Sequence, residues 1–263
     1  MNGNKKTTGV ILALGGLCLG SAFALSPKEE NSKVQKAVQA QIASMIRSKK
    51  PSQSTGKLTK GQLTNPAVLP EKGYGYSLRY PERKSNYGSD RMIFGLMEVG
   101  ANLYVSPGKD DVHRLWINDI SSKNGGKLKG HINHQMGLDV DLQFFISDIK
   151  GRPLRSRWMS FDEKGLNTGN KYYKKGTRRF DVPRNWILVS YILENKRFSQ
   201  IRALLVANWL KKMLIEHATT ALKTMKNQKE RKRQLSLIEK AKKLLRQPKS
   251  SPHSNHFHLS LAR

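Results

Sequence analysis

Cysteine is almost absent from this sequence, because Cys18 is the only one among 263 residues. A single cysteine cannot close an intramolecular disulfide, so stability must come from the apolar core and from any metal ion that binds. Apolar residues make up 37% of the chain, which is enough for a core and too many for a wholly disordered protein. The length suits one domain of catalytic size with extensions rather than two large domains.

Acidic residues are also scarce. The chain has 19 Asp and Glu residues against 48 Lys and Arg residues, which gives a formal net charge of +29 at pH 7. Such a charge attracts polyanions, whether nucleic acid, anionic lipid or an acidic cell-wall polymer. The charge alone does not distinguish among these three partners.

The N-terminal apolar run, Gly9–Ala24, is shorter than the roughly 20 residues that span a bilayer. It follows the basic start MNGNKK and ends in the small-x-small sequence Ala22–Ala24, so residues 1–24 have the pattern of a cleaved secretory signal peptide. An uncleaved anchor and a lipoprotein signal at Cys18 are the alternatives, and bulky Leu17 disfavours the second. We therefore expect export, no stable membrane anchor and no nucleic-acid partner.

Residues 25–66 are predicted to precede the main domain as a basic helix and a linker. Apolar residues follow helical spacing between residues 34 and 46, namely Val34, Val38, Ile42, Met45 and Ile46. Residues 51–66 are rich in Ser, Thr, Gly and Lys without an apolar period, which is typical of a linker. The domain is then expected to cover residues 67–263.

Within that domain, helix and strand patterns alternate irregularly, which predicts the α+β class. Asp90 is a candidate N-cap for the first helix. Helices are predicted over residues 90–103, 182–198 and 208–225, and a basic helix over 226–248 with an apolar stripe of Leu235, Ile238, Ala241 and Leu245. Strands are predicted over residues 114–119, 137–145, 201–207 and 256–261, with 137–145 half-buried because its apolar residues alternate.

Three of the seven histidines lie within residues 253–258. In the strand HFHLSL, His256 and His258 share one face with Ser260, while the apolar residues occupy the other. A second cluster lies upstream in GHINHQMGLDVDLQ, which contains His134 and Asp141. Both clusters therefore place metal-binding side chains on the polar face of an alternating strand.

Two neutral imidazoles and one carboxylate give a zinc ion three protein ligands and leave the fourth position for water, whose pKa the ion lowers to about 7. The set proposed on these grounds is His134, Asp141 and His258, and Asp139 on the same face is the main rival to Asp141. The sequence contains no HExxH motif, so a thermolysin-like site is not supported. His113 and His217 lie outside both clusters and are expected to be ordinary surface or core residues.

The two motifs in this order, His-x6-Asp followed by His-x-His, resemble those of the penicillin-insensitive murein endopeptidases. These belong to a wider group of zinc peptidases that includes D-alanyl-D-alanine dipeptidases and carboxypeptidases. The resemblance covers roughly residues 70 to 263 and extends to the segments NYGSDRM and NDISSKNGGKLKGH. Ser254 and Asn255 depart from the family, which often has an acidic pair at this place.

The resemblance implies a small antiparallel sheet that carries the zinc site (Zn2+) and is flanked by helices. His134, Asp141 and His258 match the family's zinc ligands, and His256 matches a histidine that assists catalysis as base or acid. Further residues match positions that support the site or face the substrate: His131, His253, Asn86, Tyr87 and Gly88.

The implied function is a periplasmic, penicillin-insensitive, zinc-dependent endopeptidase whose partner is peptidoglycan. It would hydrolyse the cross-link between D-alanine and meso-diaminopimelate. A D,D-carboxypeptidase or dipeptidase and an L,D-endopeptidase of the same group stay open as alternatives. A catalytically inactive, zinc-containing wall-binding protein is the alternative outside the enzymes.

Overall fold

The protein is described by a computed structural model over residues 27–104, 112–249 and 251–263, which form five α-helices and fourteen short strands. The helices are α1 (Pro27–Arg47), α2 (Asp90–Tyr104), α3 (Val182–Glu194), α4 (Asn208–Thr224) and α5 (Gln228–Leu244). The strands are β1 (Gln53–Lys57), β2 (Lys60–Thr64), β3 (Ala67–Val68), β4 (Lys72–Gly73), β5 (Tyr76–Leu78), β6 (Tyr87–Gly88), β7 (Leu115–Ile117), β8 (Asp139–Gln143), β9 (Ile146–Asp148), β10 (Pro153–Leu154), β11 (Arg178–Phe180), β12 (Ile201–Leu205), β13 (Leu245–Arg246) and β14 (His256–Leu261).

Seven strands form the central sheet in the order β13-β12-β14-β8-β7-β5-β4. The four strands at its centre, β12, β14, β8 and β7, pair antiparallel. Toward the edges, β12 pairs with β13 and β7 pairs with β5 in parallel, so the whole sheet is mixed. The predicted α+β class is confirmed, with an antiparallel centre and helices packed around it.

The two central strands β8 and β14 bury both of their faces. Phe257 and Leu259 of β14 lie in the apolar core and have no exposed surface. On the opposite face, Asp139 and Asp141 are only 1% and 2% exposed. Asp139 lies against His258 and Ser260 of β14, and Asp141 lies under the histidine-bearing loop before β8. The prediction that the first of these strands is half-buried is therefore wrong.

A cluster of phenylalanines forms the core on the apolar side of these strands. The ring of Phe144 lies 4.7 Å from that of Phe257 and 4.9 Å from that of Phe180, both in edge-to-face contact. Phe161 completes the cluster at 6.1 Å. Such aromatic pairs add to the free energy gained by burial, so this cluster supports the sheet directly beneath the polar site.

The predicted helices over 90–103, 182–198 and 208–225 correspond to α2, α3 and α4. Asp181 caps α3, since its side chain accepts a hydrogen bond from the Arg184 N–H. This helix ends at Glu194, earlier than expected, because Asn195 adopts an extended conformation and its side chain caps the short 3-10 helix that follows.

The N-cap prediction for Asp90 is wrong. Asp90 is the first residue of α2, and the Ser89 hydroxyl accepts a hydrogen bond from the Met92 N–H at 3.4 Å. The Asp90 carboxylate instead accepts a hydrogen bond from the Ser52 N–H at 3.0 Å and pairs with Lys49 at 2.6 Å. It therefore ties the preceding chain to the start of the helix.

The basic helix α5 packs on α3 and α4 through a stripe that differs by one position from the predicted one. Leu237, Ile238 and Ala241 are buried, and Leu245 follows them into the core. Leu235 is 44% exposed, so its place in the stripe was predicted wrongly. Position 237 lies four residues before 241 and takes the inward place on the helix.

Residues 51–66, expected as a linker from their composition, contain the antiparallel hairpin β1–β2. Gly56 in β1 has a φ of +85°, a conformation that glycine adopts readily. Leu63 is buried and its N–H donates to the Asn124 carbonyl, while the Ser54 hydroxyl donates to the Met136 carbonyl. The hairpin thus packs on the chain that leads into β8.

The predicted helix before the hairpin is α1. Val34, Val38 and Ile42 are buried against the domain as the spacing predicts, whereas Ile46 is 52% exposed. The expected signal peptide, residues 1–24, lies outside the described residues. Among the helices that the structure describes, none combines the length and the hydropathy needed to cross a membrane.

Replacing Phe144 with Ala should lower the free energy of unfolding by about 3–5 kcal/mol, because it opens a cavity among three other rings. Urea unfolding followed by circular dichroism measures this loss. Ile149→Ala serves as the control, since Ile149 is 58% exposed and its removal should change stability by about 0.5 kcal/mol or less. Equal losses in the two variants would contradict the proposed role of the cluster.

Candidate metal centre

Histidine and carboxylate side chains converge in a pocket of about 410 Å³ on the polar face of β8 and β14. The titratable side chains come from the loop before β8, from β8 itself, and from β14 with the segment that precedes it. They are His131, His134, Asp141, His253, His256 and His258. The two sequence clusters therefore meet at one place, although more than 100 residues separate them.

Strand pairing aligns the two most deeply placed groups. In the antiparallel register of β14 with β8, His258 lies opposite Asp141, and its Nδ1 is 2.9 Å from the Asp141 Oδ1. Neighbouring strands bring facing side chains on one side of a sheet within about 5 Å of each other at Cβ. The contact is thus a direct consequence of the register.

A tight turn before β8 brings His134 to the same point. His134 itself has a φ of +66°, and Gly137 in the same turn has a φ of +65°. A Cβ at residue 137 would lie 2.7 Å from the Gly88 Cα, so only glycine fits there. The turn leaves the His134 Nε2 3.3 Å from the His258 Nδ1 and 3.4 Å from the Asp141 Oδ1.

These three atoms form a triangle with sides of 2.9, 3.3 and 3.4 Å. Ligands of a tetrahedral zinc ion at bond lengths of 2.0–2.1 Å are separated by about 3.3 Å from each other. Two imidazole nitrogens and one carboxylate oxygen are also a donor set that suits zinc. The residues therefore fit a metal ion of this kind in both geometry and chemistry.

Hydrogen bonds on the outer side of each ring orient the two imidazoles. The His134 Nδ1 lies 2.9 Å from the Ile120 carbonyl, which can only accept, so Nδ1 carries the proton and Nε2 offers its lone pair to the pocket. The His258 Nε2 donates to the Asp139 Oδ1 at 3.0 Å, and the Ser260 hydroxyl donates to the same oxygen at 2.6 Å. Asp139 therefore lies behind His258, outside the triangle.

His131 lies at the edge of the pocket between two carboxylates. Its Nε2 is 3.2 Å from the Asp119 Oδ2 and its Nδ1 is 3.6 Å from the Asp141 Oδ2. Asp119 also accepts hydrogen bonds from Arg83 and Ser85, and it is 5% exposed. The sequence offered a weak signal for Asp119, an acidic residue just after the strand LWI, and our predictions did not include it.

His256 is held on both sides of its ring. Its Nδ1 donates to the Asn255 Oδ1 at 2.6 Å, which leaves Nε2 facing the pocket, 3.3 Å from the Asp141 Oδ1. The ring of Trp158 stacks on it at 4.6 Å with 22° between the planes. Trp158 lies in a segment without regular secondary structure, so no periodicity could have indicated its place in the site.

His253 reaches the pocket from the chain before β14, with a φ of +48°. Its ring lies 4.9 Å from that of His256 and 5.8 Å from that of His258. Burial, with the charges of the neighbouring histidines, lowers its pKa to about 4, so His253 is neutral at pH 7. Within the described ranges, potential ligand atoms lie within 4.8 Å of one another in two groups, His131/His134/Asp141 and His253/His256/His258.

Asn86, Tyr87 and Gly88 do not line this pocket. The Asn86 side chain donates to the Leu69 carbonyl at 2.7 Å, and Tyr87 and Gly88 pair with β3. Gly88 abuts the turn at Gly137, so the segment supports the loop that carries His134. Contact of these three residues with a substrate stays a prediction.

The buried charges of the site compensate one another. Burial alone would raise the pKa of Asp141, but the three histidines around its carboxylate, His134, His256 and His258, outweigh burial and hold that pKa well below its usual range. Burial likewise opposes a charge on His258, yet hydrogen bonds to Asp139 and Asp141 raise its pKa to about 9. With no ion bound, His258 is therefore a cation at neutral pH.

Comparison with known proteins gives two matches. The family model described as penicillin-insensitive murein endopeptidase matches residues 54–262. A protein of that name from Haemophilus influenzae is 34% identical over 112 residues, which is 42% of this chain and 36% of the relative. The chain therefore aligns with about a third of that curated relative's length, and the matched family range contains every side chain of the pocket.

In protein stripped of metal ions, His258 should titrate with a midpoint near 9, well above its ordinary 6.5. Because the folded pKa is raised, the interaction stabilises the fold fully below pH 6.5 and is lost as pH rises through 9. Nuclear magnetic resonance of the imidazole protons measures the midpoint. His217, whose pKa burial lowers, provides an internal reference, and a His258 midpoint at or below that of His217 would rule out the charge pairing.

Proposed function

Because this chain belongs to the penicillin-insensitive murein endopeptidase family, we propose that it is a zinc-dependent endopeptidase that hydrolyses the peptide cross-links of peptidoglycan. The bond we propose joins D-alanine to meso-diaminopimelate of a neighbouring stem peptide. The observation that carries the proposal is the triangle of His134 Nε2, Asp141 Oδ1 and His258 Nδ1, with sides of 2.9–3.4 Å.

We assign the zinc ion to these three atoms. Three protein ligands leave one position open, which distinguishes a catalytic zinc site from a closed structural one. When bound, the ion is a Lewis acid that polarises the scissile carbonyl and makes water acidic enough to attack at neutral pH. Asp139 and the Ile120 carbonyl hold the outer nitrogens of the two imidazoles, so both rings stay oriented toward the ion.

His256 is the proposed general base and acid. Its Nδ1 is committed to Asn255, so its Nε2 is the nitrogen that can take a proton from the attacking water and return it to the leaving amine. Stacking on Trp158 fixes the plane of the ring beside the scissile bond. Asn255 thus supplies the orienting hydrogen bond at a position where the family often has an acidic residue.

His131 is the proposed cation beside the substrate carbonyl. A hydrogen bond to Asp119 raises the pKa of His131 against the opposing effect of burial, which favours the charged ring. Its other nitrogen faces the pocket and can stabilise negative charge that develops on the carbonyl oxygen. His253, neutral at pH 7, completes the pocket wall and adds no competing charge.

The partner we propose is peptidoglycan in the periplasm. Residues 1–24 would direct export of the chain to that compartment as a signal peptide that is then cleaved. Murein carries carboxylates, so a net charge of +29 favours its retention on this polymer. We propose no nucleic-acid partner and no stable membrane anchor. The mechanism forms no acyl-serine, so penicillin has no nucleophile to acylate.

The first test uses purified protein and cross-linked dimeric muropeptides, analysed by mass spectrometry with and without a zinc chelator. Dimers should become monomers only with intact protein and metal, and the product masses identify the bond. His258→Ala should lose bound zinc and activity together, whereas His217→Ala, outside the site, should keep both. Release of free D-alanine would indicate a carboxypeptidase instead, and intact dimers despite stoichiometric zinc would indicate a wall-binding protein.

His256→Ala should lower kcat by about 10²–10⁴-fold, the usual contribution of a general base, while zinc content stays near that of the parent protein. Atomic absorption measures the metal, and turnover of the dimeric muropeptide measures kcat. Trp158→Ala should give a smaller loss, because the base remains although its ring is less constrained. Full activity in His256→Ala would mean that another group moves the proton.

A further inference from the structure

A second groove, of about 640 Å³, lies beside the metal pocket and contains none of the proposed zinc ligands. Its walls come from the chain after β5 and from two loops, residues 157–158 and 170–173. We call it the aromatic groove and define it by Arg79, Tyr80, Arg157, Trp158, Lys171 and Tyr172. Among these six residues, Trp158 alone has a role in the proposed function, as the ring that stacks on His256.

Trp158 connects the aromatic groove to the metal pocket, since it lines both. Its ring stacks on His256 at 4.6 Å, and 38% of the residue remains exposed. A substrate whose scissile bond lies beside His256 can therefore continue across Trp158 into the groove. The two cavities form one surface on which a chain can extend.

The aromatic groove is lined by cations and by no acidic residue. Arg79, Arg157 and Lys171 make no ion pair with any residue in the described ranges. The Arg79 Nε is buried and has no hydrogen-bond partner within that part of the chain. Cations that have no acidic partner in the described ranges are suited to bind the carboxylates of a ligand.

Two aromatic residues of the groove, Trp158 and Tyr172, are exposed. Tyr172 is 73% exposed, with the Lys171 Nζ 4.8 Å from its ring centre. The Arg79 guanidinium lies 5.3 Å from the ring centre of Tyr80. Cations beside exposed tyrosine and tryptophan rings are the composition that protein surfaces use to bind partly apolar, partly anionic ligands.

We propose that the aromatic groove binds an acidic peptide strand of the substrate, with carboxylates on the cations and apolar groups on the rings. This inference rests on the proposed function, because it takes the substrate to be a cross-linked, carboxylate-bearing wall peptide. The groove then selects a cross-linked dimer over a single short stem. It holds one strand while the scissile bond lies beside His256.

The test compares two double variants of the same loop. Lys171→Ala/Tyr172→Ala removes one cation and one ring of the groove, and both residues are exposed, so the fold should be unaffected. Lys174→Ala/Lys175→Ala removes two exposed lysines that do not line the groove and is the matched control. Equal melting temperatures would establish that all proteins fold alike.

With a purified dimeric muropeptide, the groove variant should show a KM raised about tenfold, with most of the loss in KM rather than kcat. The control should behave like the parent protein. Amidation of the muropeptide carboxylates should raise the KM of the parent protein by a similar factor and the KM of the groove variant by much less. Equal KM values for the groove variant and the control would overturn the inference while leaving the proposed function standing.

Equilibrium binding separates the two proposals. Calorimetry with the zinc-loaded His256→Ala protein measures affinity for the intact dimer without cleavage, and adding the groove substitutions should weaken it about tenfold. If the parent protein binds the dimer through the groove but never cleaves it, the endopeptidase proposal fails and the groove inference stands. Binding of the dimer that does not depend on Lys171 and Tyr172 would refute the inference that the groove holds a strand of the substrate.

Discussion

The burial of the Asp141 carboxylate is the constraint on which the rest of this structure depends. Asp141 is 2% exposed in the middle of the central sheet, where an uncompensated charge would cost several kcal/mol. Three histidines surround one of its oxygens at 2.9–3.4 Å and hold its pKa well below the usual range. The loop before β8 brings His134 to this carboxylate, strand β14 brings His256 and His258, and their imidazoles stabilise its charge.

Strand register makes that arrangement specific. A slip of one residue between β14 and β8 would turn Phe257 toward Asp141 and move His258 into the phenylalanine cluster. The apolar face of these strands can pack in a single register, and that register determines which polar side chains meet on the opposite face. The site needs no disulfide to bring together segments that are more than 100 residues apart, and the described residues contain no cysteine.

Periodicity predicted those parts of the protein in which local pattern and tertiary packing agree. The alternation in HFHLSL placed His256 and His258 on one face of β14, and helical spacing located α2, α3 and α4. Burial of the polar face of β8 could not be predicted, because the loops that cover it have no period. Trp158 could not be predicted for the same reason. The polar composition of residues 53–64 likewise gave no indication of the hairpin, whose few apolar residues pack on a distant turn.

The charge of the Asp141 carboxylate can be compensated either by a proton on His258 or by a metal ion. With no ion bound, protonated His258 lies between Asp139 and Asp141, and the two charges on either side keep it a cation. An ion held by the three atoms that we propose as ligands would take the place of the proton on Nδ1, while Nε2 would keep its proton and its hydrogen bond to Asp139. In both states the Asp141 carboxylate would be compensated by positive charge. Because the ion would have to displace that proton, metal binding at these atoms should weaken as the pH falls and His258 becomes protonated.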